Sequence, residues 1–328
     1  MNYTPPFQIS AKAISMIAEI SALIERYAIR MERHDALRLR KANKIKTIQA
    51  SLAIEGNTLT ESQVTNILDG KKVVAPLREI QEVKNAIATY DLAPKLDPFL
   101  VQDLLKAHGV MMSALVEGPG RFRHGGVGVF AGKEVVHMAP PAKRVPVLIA
   151  ALFDWLKKAE DHLLIRSCVF HYEFEFIHPF ADGNGRMGRL WQSLILARLH
   201  PVFQYLPVES MVHDNQQEYY EAINASTANT NSGIFIDFML NEILQSLKTH
   251  QGMAWETDGG VSGALTGGVN EVLAFIKNTP GCRANGIASA LDIPLRSIQR
   301  YLGQLKDENK IEFRGAPRNG GYYPRGDK

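Results

Sequence analysis

The sequence predicts a mainly α-helical protein with one β-hairpin and a small separate domain at its C-terminal end. Apolar residues recur at helical spacing through most of residues 8–250, beginning with Ile14, Ile17 and Ile20. Glycines alternate with Phe and Val over residues 118–140, which is typical of a hairpin. Residues 251–268 hold three glycine pairs or near-pairs and few apolar side chains, which predicts a flexible linker before the last domain.

The helices of the first 250 residues follow from this spacing. A basic pattern from Leu37 to Ile54 stops at Gly56-Asn57, a sequence suited to a helix C-cap. Thr60-Glu-Ser-Gln predicts the start of a short helix. Further helices are predicted at 78–92, from Asp97 onward, and at 145–159, 162–177, 186–199, 216–224 and 235–250.

Composition excludes several classes of protein. The chain has 328 residues, of which 45% are hydrophobic and 22% charged, so it is long enough for a large core and is not a disordered chain. A net charge of +3 is too small for nucleic-acid binding by the whole chain. The two cysteines fit no metal or redox spacing, and neither a signal peptide nor a membrane-spanning run is evident. We therefore expect a cytoplasmic protein without a membrane partner.

Residues 178–189 carry the strongest chemical signal, His-Pro-Phe-Ala-Asp-Gly-Asn-Gly-Arg-Met-Gly-Arg. His178 can accept a proton near neutral pH, and Asp182 is a hard oxygen ligand of the kind that Mg²⁺ accepts. Gly183 and Gly185 allow backbone N–H groups to approach an anion. Arg186 and Arg189 lie three residues apart, so on a helix they share a face and can bind phosphate oxygens together.

Two other interpretations of this run compete with a phosphate site. Residues 183–188 satisfy G-x-G-x-x-G. With a possible strand at 202–208 and Glu209 directly after it, about twenty residues on, the run would imitate a dinucleotide-binding unit. Asp182 would repel pyrophosphate there, and the chain lacks repeated βαβ alternation. Alternatively, Asp-Gly-Asn-Gly is simply a tight turn between helices, which leaves His178 and the phase-matched arginines unexplained.

The run matches without departure the motif H-x-F-x-[D/E]-G-N-G-R-x-x-R, and in this the chain resembles the Fic family. The resemblance implies a helical Fic core at 96–250, with residues 118–140 as a β-hairpin flap before the motif. It also implies transfer of AMP from ATP to a Tyr, Ser or Thr hydroxyl of a target protein, which could be the chain itself. Mg²⁺ is implied as the metal, and a homodimer is left open.

By the same resemblance each motif residue receives a role. His178 would deprotonate the target hydroxyl, Phe180 would anchor the loop in the core, and Asp182 would hold Mg²⁺ between phosphates. Gly183, Asn184 and Gly185 would line an anion hole at the start of the next helix, while Arg186 and Arg189 would bind the outer phosphates. The flap would pair with the target backbone as an added strand. His171, on an aromatic helix, is predicted to be a packed, hydrogen-bonded residue and not a metal ligand.

Residues 51–57, Ser-Leu-Ala-Ile-Glu-Gly-Asn, form a second informative motif in the predicted N-terminal helical region 1–95. Glu55 lies in the last turn of a helix, where its charge opposes the helix dipole and calls for an external cation. An exposed Glu beside a cap would explain the same pattern at small cost. The motif, with Ser51, Glu55 and Gly56, also resembles the Fic inhibitory sequence. That resemblance implies that Glu55 contacts Arg189 in place of a γ-phosphate.

Residues 269–328 predict three helices followed by two strands, an order that resembles a winged helix-turn-helix domain. Residues 267–328 hold ten Lys/Arg against six Asp/Glu, a net of +4 that exceeds the charge of the whole chain. Arg296, Arg300 and Lys306 fall on the polar side of the third helix, and arginines flank the wing. DNA binding through this domain is one interpretation, and a protein-interaction module is the other.

The sequence therefore predicts a self-inhibited, Mg²⁺-dependent protein adenylyltransferase. One alternative is the reverse reaction, removal of AMP, in which Glu55 would align a water molecule. The other is a DNA-binding regulator in which the Fic domain senses ATP.

Overall fold

Helices dominate the described chain, and two small two-stranded antiparallel sheets accompany them, which confirms the predicted fold class. In the computed structural model the described residues are 3–31, 36–131, 134–258, 272–273, 275–277, 279–291, 295–307, 310–314 and 320–325. They form two compact units, Met1–Lys248 and Thr249–Lys328.

The first unit packs its helices around one continuous hydrophobic core, which runs from Ala13 to Leu247. The predicted regions 1–95 and 96–250 therefore share a single core. The helices are α1 (Ala11–Met31), α2 (Ala36–Ile54), α3 (Glu61–Leu68), α4 (Leu77–Leu92), α5 (Val101–Met111), α6 (Val145–Lys158), α7 (Leu163–Ile177), α8 (Asn184–Leu199), α9 (Val208–Asp214), α10 (Gln216–Ala228) and α11 (Gly233–Asp258). Short 3₁₀ helices cover Ala93–Lys95, Ala142–Arg144 and Pro201–Tyr205.

Helices α7 and α8 form the centre of this core and position the loop between them. Most residues of both helices are buried, as expected for a helix such as α7 whose apolar residues lie on every side, although α7 also buries His171, Glu173 and Glu175. Trp191 on α8 is fully buried, and its indole N–H donates to the Pro98 carbonyl at 3.0 Å. Because α7 and α8 are fixed in the core, the loop of residues 178–183 between them, the motif loop, has two rigid ends.

The β-hairpin is shorter than its glycine pattern predicts. Strands β1 (Gly128–Ala131) and β2 (Glu134–Met138) pair antiparallel, with a register irregularity at Val129/Phe130. Residues 118–127 form turns and bends instead of a strand, and Gly118 and Gly120 both have positive φ. The glycines there serve turns that lead into the hairpin, which alternation alone does not distinguish from strand.

The predicted linker 251–268 needs correction at its start. Helix α11 continues to Asp258, because residues 253–258 are compatible with a helix and the glycine pairs begin only at Gly259. Residues 259–268 lie outside the described residues. The strand considered at 202–208 is also wrong: Pro201–Tyr205 is a 3₁₀ helix and α9 follows. Only two-stranded antiparallel sheets occur in the described part of the chain, so the dinucleotide-binding interpretation is excluded.

The second unit has a small core of its own. Helical residues 272–273 and 275–277 are followed by α12 (Ala284–Leu291), α13 (Leu295–Asp307) and the antiparallel strands β3 (Ile311–Arg314) and β4 (Gly321–Pro324). Its buried residues are Val272, Ile276, Ile287, Ile298, Tyr301, Leu302, Leu305 and Ile311. Residues 315–319 of the predicted tip between the strands, Arg318 among them, lie outside the described residues.

No helix in the described ranges is both long enough and apolar enough to cross a membrane.

Candidate functional site

His178 lies at the point where the chain leaves α7. Its backbone is left-handed, with φ 50° and ψ 62°, and its N–H closes the helix by donating to the Phe174 carbonyl at 2.9 Å. Nδ1 lies 3.3 Å from the Glu175 carbonyl oxygen and 3.9 Å from Glu175 Oε2. A proton held on Nδ1 against this helix end places the basic lone pair of the imidazole on Nε2.

Arg123 fixes the carbonyl groups on both sides of His178. Its Nε donates to the His178 carbonyl at 2.7 Å, and NH2 donates to the Ile177 carbonyl at 3.3 Å and to the Pro140 carbonyl at 2.5 Å. NH1 donates to the Gly125 carbonyl at 2.8 Å. The side chain thus ties the end of α7 to the segments before and after the hairpin, and burial lowers the pKa of its guanidinium.

His108 supports the motif loop from α5. Its ring stacks on Phe180, with centroids 3.7 Å apart and planes 6° from parallel, and Phe180 is fully buried. Nδ1 accepts from the Gly120 N–H at 2.9 Å, so the proton of the neutral ring lies on Nε2, which donates to the Asp182 carbonyl at 3.1 Å. Burial lowers the pKa of His108 to about 4, which keeps the ring neutral in this arrangement near pH 7.

The start of α8 is shaped by Gly183, Asn184 and Gly185. Gly183 has φ 85°, and a Cβ there would lie 2.7 Å from the sulfur of Met112. The Asn184 side chain is directed at the loop itself: Oδ1 accepts from the Phe180 N–H at 2.8 Å and Nδ2 donates to the Phe180 carbonyl at 2.9 Å. Asn184 can therefore serve an anion through its backbone N–H only. A Cβ on Gly185 would collide with the carboxylate of Glu55.

Asp182 and Arg186 form the outer edge of the site. Asp182 Oδ1 accepts from the Gly183 N–H at 2.6 Å and from Arg186 NH2 at 3.3 Å, and Oδ2 lies 3.5 Å from Arg78 NH2. The Asp182 side chain is 41% exposed, whereas that of Arg186 is 4% exposed. Arg186 NH1 also lies 3.9 Å from Glu82 Oε1.

Asp182 fits the role of a magnesium ligand. Mg²⁺ is usually held by one or two carboxylates together with substrate phosphates and water, and Asp182 supplies one accessible carboxylate beside a helix N-terminus. No cluster of three or more His, Cys, Asp or Glu side chains suited to a metal occurs among the residues described, so such a site would need ligands from the substrate.

Arg189 is the most buried cation of the motif, and Ser51 and Glu55 bind it from α2. Its NH2 donates to Glu55 Oε1 at 2.8 Å and to the Ser51 carbonyl at 2.8 Å, and its Nε donates to Ser51 Oγ at 3.2 Å. The Arg189 side chain is 3% exposed and that of Glu55 is 32% exposed. Burial alone would lower the pKa of Arg189, but the Glu55 carboxylate raises it above that of an ordinary arginine.

The end of α2 holds Glu55 in this position. Gly56, with φ 90°, donates its N–H to the Ala53 carbonyl at 2.9 Å, and Asn57 donates its N–H to the Leu52 carbonyl at 3.1 Å. These bonds form a Schellman motif that makes Glu55 the C-cap residue. The cap is then fastened to α4, since Asn57 Nδ2 donates to Glu82 Oε2 at 2.9 Å.

A second carboxyl group, Glu175, lies near both His178 and Arg189. Burial raises the pKa of Glu175 to about 8, although the charge of Arg189 opposes this shift. Its Oε1 has no hydrogen-bond partner among the described residues and lies close to Gly188, where a Cβ would approach it to 2.6 Å. Glycine at position 188 therefore makes room for this carboxyl between α7 and α8.

The structure brings together most of the residues that the sequence singles out. His178, Asp182 and Gly183 share the motif loop and its exit, while Ser51, Glu55 and Arg189 meet in one ion-paired cluster. His171 is packed and hydrogen-bonded, as predicted. It is fully buried, and its ring nitrogens lie 2.6 Å from Gln192 Oε1 and 3.0 Å from the Tyr219 hydroxyl.

Five residues of the site were not predicted: Arg78, Glu82, His108, Arg123 and Glu175. His108 matches an amphipathic helix pattern and carries no separate signal. Arg123 is a lone arginine between glycine-rich turns, and only the structure reveals the carbonyl groups that it binds.

Comparison with known proteins agrees with this geometry. Residues 96–196 match the model of the Fic/DOC family, and the match begins at the residue where the catalytic core was predicted to begin. A Fic family protein from Desulfovibrio desulfuricans G20, known from its crystal structure, is 42% identical, with a TM-score of 0.75 and 99% of each chain covered. The chain belongs to the Fic family.

More distant relatives share only part of their length with this chain. "Protein adenylyltransferase Fic" of Drosophila willistoni is 34% identical over 176 residues, which are 49% of this chain and 34% of that protein. The protein of the same name from Culex quinquefasciatus is 30% identical over 203 residues, 57% of this chain and 38% of that one. The chain thus spans little more than a third of the length of these curated relatives. A Fic-1 fragment from C. elegans, 23% identical with a TM-score of 0.60, shares the fold.

Replacement of Arg123 by lysine should destabilise the protein. A lysine ammonium cannot reach all four carbonyl groups that the guanidinium binds, through one buried and three partly buried hydrogen bonds. A buried carbonyl left without a donor costs about 1–3 kcal/mol. We expect Arg123→Lys to lower the free energy of unfolding by at least about 2 kcal/mol in urea denaturation. The matched variant Arg121→Lys, at an exposed position two residues away, should change it by less than about 0.5 kcal/mol. Equal stability of the two variants would contradict the role of Arg123.

Proposed function

We propose that the protein is a Mg²⁺-dependent protein adenylyltransferase that transfers AMP from ATP to a Tyr, Ser or Thr hydroxyl of a protein. The observation that carries the proposal is the combination, on one loop and helix start, of a base, an accessible carboxylate and two buried arginines. The names of the curated relatives support the same activity. A cytoplasmic location and self-modification remain parts of this proposal.

The chemistry assigned to each residue follows from its position. His178 takes the proton of the target hydroxyl as the oxygen attacks the α-phosphorus of ATP, and the bond from that phosphorus to the β-phosphate oxygen breaks. Backbone N–H groups at the start of α8 and the guanidinium groups of Arg186 and Arg189 neutralise the charge on departing pyrophosphate. Asp182 would hold Mg²⁺, which when bound supplies further charge neutralisation to the phosphates.

The same geometry supports autoinhibition by Glu55. Arg189 already binds a carboxylate at 2.8 Å and two oxygens of Ser51, so an incoming phosphate must displace Glu55 to use this guanidinium. Two anions cannot share one buried cation without a large electrostatic cost. The proposed inhibition is therefore a competition between Glu55 and the terminal phosphate of ATP for Arg189.

Removal of AMP from a modified protein is a second candidate reaction. The observation that favours it is the partial exposure of the Glu55 side chain, because its carboxylate can orient a water molecule as well as bind Arg189. The two activities make opposite demands on Glu55: transfer is blocked by it, and hydrolysis requires it.

The Glu55→Gly variant should gain transferase activity, since it frees Arg189 for the phosphate chain. Loss of one charged hydrogen bond, worth about 1.5–3 kcal/mol, predicts an increase of roughly tenfold or more in AMP incorporation. Intact-mass spectrometry after incubation with ATP and Mg²⁺ should detect a gain of one AMP on the chain itself.

Two further variants control this measurement. His178→Ala in the Glu55→Gly background should abolish incorporation while the protein still binds ATP. Glu117→Gly, an equivalent change at an exposed loop position, should resemble the unmodified chain. Incorporation by Glu55→Gly that does not exceed that of the unmodified chain, with a labelled target mixture also present, would overturn the proposal of inhibition.

For the second unit we propose a winged helix-turn-helix domain that binds DNA. Its helices α12 and α13 and the strands β3 and β4 follow one another in the order of that fold. Lys306 Nζ lies 5.6 Å from the ring centroid of Phe313 and 5.2 Å from that of Tyr322. Arg314 and Arg325 both pair with Glu312, which reduces the positive charge that these two arginines offer. The proposal therefore relies more on Arg296 and Arg300 of α13 than on the strands.

A gel shift with the full chain and duplex DNA tests this proposal. We expect binding at low salt that weakens steeply as salt rises, because released counterions drive association with phosphates. Arg296→Ala with Arg300→Ala should remove the shift, and Lys277→Ala, at an exposed residue outside α13, should retain it. Absence of any shift at low salt would contradict DNA binding and favour a protein-interaction role.

A further inference from the structure

A cavity of about 330 Å³ lies between α2, α4, α8 and the 3₁₀ helix Pro201–Tyr205. This volume is within the range of small-molecule sites. Neither the motif loop nor Arg189 lines it, so it is separate from the proposed nucleotide site. Its apolar wall includes Leu68, Tyr90, Ala93, Leu190, Leu194 and Tyr205.

The charged part of the lining is predominantly positive. Arg40, Lys41 and Lys44 contribute three cations, and Asp91 contributes the single carboxylate. Lys44 pairs with Asp91, while Lys41 pairs with Asp69 and Arg40 lies 4.6 Å from the ring centroid of Tyr205. An anion seated in this cavity would gain from these cations, and its apolar body would gain from the wall. A dication or a fully polar ligand would not match both features.

The walls of the cavity belong to the elements that hold Arg189. Leu190 directly follows Arg189 on α8 and Leu194 lies one turn beyond it, and α2 carries Lys44 near its middle and Ser51 two turns later. A ligand that contacts α2 and α8 together therefore acts on the same pair of helices that Glu55 and Arg189 connect.

Tyr90 provides a polar link between the cavity and this contact. Its hydroxyl donates to Glu209 Oε1 at 3.4 Å, and Ser193 Oγ donates to the same oxygen at 3.0 Å. Burial raises the pKa of Tyr90, as does Glu209, whereas Arg189 and a hydrogen bond with Ser51 lower it. The pKa of this cavity-lining hydroxyl therefore depends on Ser51 and on the charge of Arg189.

We propose that this cavity binds a small organic anion, an aromatic or branched apolar body with one acidic group, and that the bound anion stabilises the Glu55–Arg189 contact. The sign rests on the premise that displacement of Glu55 moves α2 relative to α8 and so alters the cavity walls, because a ligand favours one state only if it binds that state more tightly. The proposed effect on the Glu55–Arg189 contact rests on the proposed function of the Arg189 site, whereas the proposed binding of an anion in the cavity does not.

Binding is tested with 1-anilinonaphthalene-8-sulfonate, whose fluorescence rises in an apolar site, and with N-phenyl-1-naphthylamine, which has the same body without the sulfonate. We expect saturable binding of one sulfonate per chain, and weaker binding of the neutral probe. Arg40→Gln with Lys44→Gln should weaken sulfonate binding at least about tenfold and leave the neutral probe unchanged. Lys143→Gln with Arg144→Gln, a matched loss of two exposed cations elsewhere, should change neither.

Ala93→Leu, which fills the cavity, is a second and independent variant. If this variant still unfolds cooperatively on heating, it should weaken the binding of both probes. If it does not, the charge variants alone test the site. Sulfonate binding that is unaffected by both the charge and the filling variants would overturn the proposed site.

The effect of the bound anion on the Glu55–Arg189 contact is measured by titration calorimetry of ATP with Mg²⁺. Saturating sulfonate should weaken ATP binding about fivefold or more in the unmodified chain and have no effect in Glu55→Gly, which lacks the contact to be stabilised. Equal weakening of ATP binding in both proteins would indicate direct competition between sulfonate and ATP and would overturn the coupling. Unchanged ATP binding in both proteins would overturn it as well. None of these readouts uses AMP transfer, so failure of the proposed enzyme activity leaves the binding result interpretable.

Discussion

The ion pair between Arg189 and Glu55 is the interaction on which the rest of the site depends. A charged guanidinium that is 3% exposed needs an anion and hydrogen-bond acceptors, and α2 supplies the anion through Glu55 and two neutral acceptors through Ser51. Glu55 is partly exposed, so the anion on this cation can be exchanged for another that arrives from solvent. Under the proposed function, this buried cation with an exchangeable anion would bind a phosphate and would also be the point at which activity is controlled.

The scaffold around this pair limits what can move. Arg123, His108 and Asn184 fix the motif loop through carbonyl groups, ring stacking and backbone N–H groups, so His178 and the start of α8 are held in place whichever anion Arg189 binds. Glu55 depends instead on a helix C-cap and on the bonds from Asn57 and Thr58 to α4. Such capping bonds are weaker than a packed core, so under the proposed inhibition we expect activation to involve movement at the end of α2 and not in the loop.

Part of this account could be predicted from the sequence, and particular residues show why the rest could not. The apolar character of α7 and the motif of residues 178–189 identify the central helices and the chemistry, since both signals are local. The partnership of Glu55 with Arg189 joins residues far apart in the chain, and only resemblance to the Fic family predicted it. Arg123 carries no local signal, because its function is to bind carbonyl groups that folding brings together. The extension of α11 and the seven-residue α9 were missed because neither a moderately polar helix end nor so short a helix has a clear period.

The proposed inhibition is a competition between Glu55 and the terminal phosphate of ATP for Arg189. Calorimetric titration of ATP with Mg²⁺ into four proteins tests it directly: the unmodified chain, Glu55→Gly, Arg189→Ala and the double variant. We expect Glu55→Gly to tighten ATP binding about tenfold or more when Arg189 is present and by less than about twofold when it is absent. An equal gain in both backgrounds would contradict the account, because Glu55 would then hinder ATP without acting through Arg189.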